Sequence, residues 1–127
     1  MDFDYTITTQ KNPSLVAQAL EQELTKAGFR ILCTHDVRAT LAEKGLEIGF
    51  MNIIEFCNAK AAYAVLKADP KMSLCLPCKI SVYAQNNQTV ISGMRPTVLP
   101  QFFPQANLGS LPQEIDEKIK AVIEAAK

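Results

Sequence analysis

The stretch from Ile53 to Tyr83 constrains this chain more than any other. Ile53, Ile54 and Phe56 form a short apolar run suited to a central strand. Asn58 follows as a side-chain cap, and Ala61, Ala62, Val65 and Leu66 make an apolar stripe at helical spacing. Pro70 stops that helix, because the residue before a proline avoids helical backbone. Cys78, Ile80 and Val82 then alternate with Lys79, Ser81 and Tyr83, the period of a half-buried strand. Strand, helix, break and strand in so short a span demand a sheet with at least one helix packed on it.

The flanking chain supplies the rest. Phe3, Tyr5 and Ile7 alternate with Asp4, Thr6 and Thr8, which predicts a first strand. Asn12-Pro13 opens a helix carrying Val16, Leu20, Leu24 and Ala27 on one face, and Gly28 closes it. From Phe29 to His35 strict alternation assigns Phe29, Ile31, Cys33 and His35 to one apolar face. Asp36 caps a short helix over Val37 to Lys44, closed by Gly45. Asn86-Asn87 turns the strand at Cys78–Tyr83 into another at Thr89–Met94. After an aperiodic apolar segment from Arg95 to Gly109, Ser110 and Gln113 form an expected capping box. The last helix carries Ile115, Ile119, Val122, Ile123 and Ala126 on one face, with Glu114–Lys118 and Asp116–Lys120 pairs outside. The order β-α-β-(short α)-β-α-β-β-α predicts one α+β domain over 1–127, a mostly antiparallel sheet of about five strands with helices on one face.

Charge narrows the partners. Thirteen basic residues balance thirteen acidic ones without clustering, so nothing attracts nucleic acid or anionic lipid. No apolar run approaches the ~20 residues of a membrane span. The first residues lack the charged and apolar regions of a secretion signal, so the expected location is cytoplasmic. In such a compartment four cysteines are expected as thiols, ligands or redox groups. With five glycines and no phosphate-loop, dinucleotide or nucleophile-elbow motif, the sequence names no reaction and leaves enzymatic activity open.

Glu55-Phe56-Cys57-Asn58, Ala61, Tyr63, Leu66, Asp69-Pro70, Leu76-Pro77-Cys78, Val82-Tyr83 and Met94-Arg95-Pro96 carry a family resemblance. Over most of its length the chain resembles the small prokaryotic proteins grouped as domain of unknown function 302. Ala59 stands where that pattern has proline, and Cys75 where it has an aliphatic residue. The resemblance implies a compact α+β fold commonly paired as a homodimer, with no established activity. The apolar Val98–Leu108 segment, more than a small domain readily covers, points to a homodimer as well.

The chemistry-bearing residues collect at the ends of that central stretch. Cys57 precedes the cap Asn58, where a helix amino terminus favours thiolate. Glu55 alternates onto the same face as Cys57, and Cys78 joins them if the two strands are neighbours. The candidate site is therefore Glu55, Cys57, Asn58 and Cys78. It suits a small-molecule ligand, reversible disulfide chemistry, or a soft metal ion on Cys57 and Cys78, with the Met94 thioether as a further ligand. Cys75-Leu76-Pro77-Cys78 resembles a redox motif, but a strand follows it instead of the helix such thiols use. The single histidine, His35, is expected as a hydrogen-bonded residue at the core edge. Cys75, His35 and Met94 are accordingly weaker candidates. The alternative is a dimeric interaction module whose motif residues only hold a turn together.

Overall fold

The computed structural model describes residues 2–127. Five strands form one antiparallel sheet in the order β1-β5-β4-β3-β2: β1 Asp4–Thr9, β2 Arg30–Asp36, β3 Met51–Cys57, β4 Cys78–Gln85 and β5 Gln88–Met94. Helices α1 (Pro13–Lys26) and α5 (Leu111–Ala126) lie against each other over one face. Short α2 (Val37–Ala42), α3 (Ala59–Ala68) and α4 (Leu99–Phe102) occupy the connections. The expected α+β sandwich of sheet and helices is what forms. Among the described residues, no helix is long and apolar enough to cross a membrane.

Local signals set most boundaries. Asn12 Oδ1 accepts from the Ser14 amide at 2.9 Å, and Gly28 leaves α1 at φ +92°. Asp36 Oδ1 accepts from Ala39 N at 3.0 Å, and Asn58 Oδ1 from Ala61 N at 3.0 Å, capping α2 and α3. Asn86 and Asn87 take φ of 53° and 62°, the left-handed pair that a two-residue hairpin turn requires. The expected capping box at Ser110 is absent: its hydroxyl donates to Glu114 Oε1 at 3.2 Å, and Gln113 is bound to Glu117. Pro112 removes one amide of that first turn, which leaves less for a cap to satisfy.

The main core is Ile54, Phe56, Ile80, Val82 and Ile91 from the sheet against Leu20, Leu24, Ile119 and Ile123 of α1 and α5. Phe29 meets Phe56 edge-on, with ring centroids 5.0 Å apart. A second cluster gathers Val65, Met72 and Leu99, with Phe103 and Leu108 against it. The aperiodic 95–109 segment therefore covers α3 and the 3₁₀ turn Pro70–Cys75. Of its apolar side chains Phe102 is the large one left exposed, so this segment contributes little uncovered surface to an expected homodimer.

One strand departs from its sequence pattern. Ile31 pairs with Phe56 but Cys33 pairs with Glu55, so β2 carries one extra residue, Leu32. Ile31 faces the helices, whereas Cys33 and His35 share the opposite, open face with Glu55. Alternation by two had put all of them on the apolar side; a bulge reverses the phase.

Candidate functional site

The two motif cysteines border one cavity at the end of the sheet. Register places Cys78 opposite Phe56, so Cys57 is the residue next to its register partner. Strand spacing and rise put their Cα atoms roughly 6 Å apart. Cys57 ends β3, and with Asn58, Leu76 and Cys78 it lines an apolar cavity of about 40 Å³ closed by Leu99 and Leu111. Asn58 is the α3 cap as expected, so its carbonyl oxygen is committed to Ala61 N. Burial pushes the Cys78 thiol up to about 11; the nearby Cys57 adds to this, and Lys79 opposes it. Cys78 is thus a protonated thiol at neutral pH. All four cysteines are free.

Glu55 does not line that cavity. Its carboxylate turns to the open face, where Oε1 lies 2.5 Å from His35 Nε2 and Oε2 lies 4.0 Å from Lys79 Nζ. The other ring nitrogen of His35, Nδ1, lies 3.9 Å from Cys33 Sγ. Thiol, imidazole and carboxylate come within 4.8 Å of one another. The imidazole stands between the other two, with Nδ1 toward Cys33 and Nε2 toward Glu55. The corner expected from Glu55, Cys57 and Cys78 is split by the sheet into an apolar thiol pair and an open polar triad.

Cys75 and Met94 share a third place. Both border a trough on the open side together with Phe3, Leu74, Lys79 and Ser92. Cys75 ends a 3₁₀ turn and Cys78 starts β4, so the Cys75-x-x-Cys78 pair has no helix start behind it. His35 is partly exposed, with 47% of its side chain open to solvent, and bonds across the ladder.

Cys33 is the candidate that sequence patterning missed. Alternation in sequence assigns it to the apolar face, and in the structure it is exposed. Nothing in the spacing of apolar residues marks Leu32 as inserted; the signal is Leu32 itself, an apolar residue at a position that alternation makes polar. A second missed group is Arg95 with Asp116. The Asp116 carboxylate is buried in α5 and accepts from Arg95 Nε at 3.1 Å and Nη2 at 3.2 Å, while Lys120 approaches to 3.4 Å. The hydrogen bonds that Arg95 donates to the Asp116 carboxylate raise its pKa above the ordinary value. This clamp ties the end of β5 to α5.

A family model described as Domain of unknown function DUF302 matches residues 5–126. The crystal structure of an uncharacterized conserved protein DUF302 from Bacillus stearothermophilus is similar along its whole length, with TM-score 0.91, 30% sequence identity and 100% of each chain covered. No curated protein matches the chain.

Proposed function

The chain belongs to the DUF302 family of domains of unknown function, and from that premise we propose that it acts as a thiol–disulfide domain through Cys57 and Cys78. The observation that carries this reading is the convergence of two thiols, distant in sequence, on one apolar cavity. Neighbouring strands put their Cα atoms roughly 6 Å apart, inside the Cα range of a disulfide, and both residues border the same cavity.

The chemistry is exchange with a small disulfide. Cys57 Sγ, as thiolate, attacks one sulfur and displaces the first small thiolate. Cys78 Sγ then displaces the second from the mixed disulfide, giving a protein disulfide and two small thiols. Cys57 is the attacking sulfur, because the Cys78 thiol holds its proton to about pH 11. Asn58 contributes by fixing where β3 stops and α3 starts, which is what turns Cys57 toward the cavity.

Equilibration in glutathione buffers of graded oxidation, followed by alkylation and peptide mapping, tests this. A linked 57–78 peptide that forms reversibly, and is lost in Cys57→Ser and in Cys78→Ser, is the expected result. A folded protein whose Cys57 and Cys78 remain reduced in excess oxidised glutathione would overturn the reading.

A further inference from the structure

From the open face we infer that Cys33, His35 and Glu55 form a second, independent site: a thiol nucleophile, its general base and an orienting carboxylate, acting on activated carbonyl compounds such as thioesters and aryl esters. The geometry is that of a relay. Cys33 Sγ faces His35 Nδ1 at 3.9 Å, and His35 Nε2 faces Glu55 Oε1 at 2.5 Å. A nucleophile within reach of a base that is itself held by a third group is the arrangement that activates cysteine hydrolases.

Each part is fixed by the sheet. Cys33 and Glu55 are register partners, and His35 follows Cys33 on the same face opposite Ile53. Glu55 keeps 20% of its side chain exposed, so its carboxylate is shielded enough to hold the ring and still faces the triad. Lys79 of β4, with Nζ 4.0 Å from Glu55 Oε2, is the further charged group facing the triad. The carboxylate at Nε2 holds the ring so that Nδ1 faces Cys33 Sγ. Cys33 is exposed, so an electrophile reaches it from solvent. Cys33 lies exposed on the open face of the sheet, so the substrate class is one whose leaving group supplies the reactivity.

The step balances without a cofactor. The Cys33 proton passes to His35 Nδ1, Sγ bonds to the carbonyl carbon, and the leaving thiolate or aryloxide takes that proton from Nδ1 as its bond to carbon breaks, which returns the imidazole to its neutral form. Water then attacks the resulting thioester with His35 Nδ1 as base, the acid departs, and Cys33 Sγ is reprotonated.

The test is acylation of the intact protein by p-nitrophenyl acetate, with the labelled cysteine identified by peptide mass. The expected result is Cys33 labelled first, at a rate at least tenfold above that in His35→Ala. In the parent, reactivity persists at a lower pH than in the variant. Added imidazole restores rate to His35→Ala, and Glu55→Gln shifts the pH profile without moving the label. His35 is half-exposed, so its replacement leaves the core untouched. Equal rates and superimposable pH profiles in parent and His35→Ala would overturn the inference, as would first labelling at Cys57. Neither result bears on whether Cys57 and Cys78 form a disulfide.

Discussion

Cys33 is the register partner of Glu55 across the β2–β3 ladder, although Ile31 and Phe56 set that ladder one residue out of step with it. Leu32 takes up the difference, and half of its surface is exposed (51%), so it buries little in doing so. Removing the inserted residue leaves Arg30, Ile31, Cys33, Thr34 and His35 in plain alternation with their present faces.

Deletion of Leu32 is therefore expected to fold and to keep the His35–Glu55 contact. A stability change within about 1 kcal/mol in chemical denaturation, with the His35 ring resonances still linked to Glu55 by NMR, is the outcome predicted. Loss of the folded state would show that the bulge itself is required.

Alkaline stability should report on Cys78. Its folded thiol titrates near 11 against an ordinary value of 9.0, so the folded state resists ionisation and the unfolded state does not. The contribution is complete below pH 9 and is lost as pH rises toward 11, on the order of 2 kcal/mol in all. The free energy of unfolding measured from pH 8 to 11 should fall more steeply in the parent than in Cys78→Ala. Parallel curves would contradict the assignment.

Asn58→Ala should cost about 1 kcal/mol, because Ala61 N loses its side-chain acceptor at 3.0 Å. Urea denaturation provides the measurement. The same variant should slow formation of the 57–78 disulfide, since the turn that aims Cys57 is loosened.

Asp116→Ala strands Arg95 and opens a pocket in α5 where the carboxylate is now 1% exposed. The thermal midpoint should drop by roughly 5 °C or more, well beyond the effect of an exposed substitution such as Glu124→Ala. Scanning calorimetry of both variants decides it.

Oxidation of Cys57 and Cys78 should stabilise the domain. The bridge closes a loop of about 20 residues in the unfolded chain, worth about 3 kcal/mol if the native geometry accepts it without strain. A higher denaturation midpoint for the oxidised form is the expected reading; a lower one means that the cavity must distort to admit the bond.

What the sequence determined by itself was local. Asn12-Pro13 and Gly28, Asp36, Asn58, Pro70 and Asn86-Asn87 each carry a backbone preference that acts over three or four residues, and each ends or starts an element where expected. The apolar faces of α1 and α5 were legible for the same reason, because helical period survives without knowledge of the partner. The tertiary structure alone decided what depends on pairing. Whether Cys33 faces solvent turns on one inserted residue in the β2–β3 register, which no periodicity in β2 records. Whether Glu55 joins Cys57 turns on Cys57 being the last residue of its strand, bordering a cavity that Glu55 does not reach. Whether the 95–109 segment is free surface turns on Val65 and Met72 lying beneath it. Asp116 looked like one half of a surface pair with Lys120 until the chain brought Arg95 to it from the end of β5. Contacts between residues far apart in sequence depend on register and closure, and a one-residue change in either exchanges the two faces of a strand.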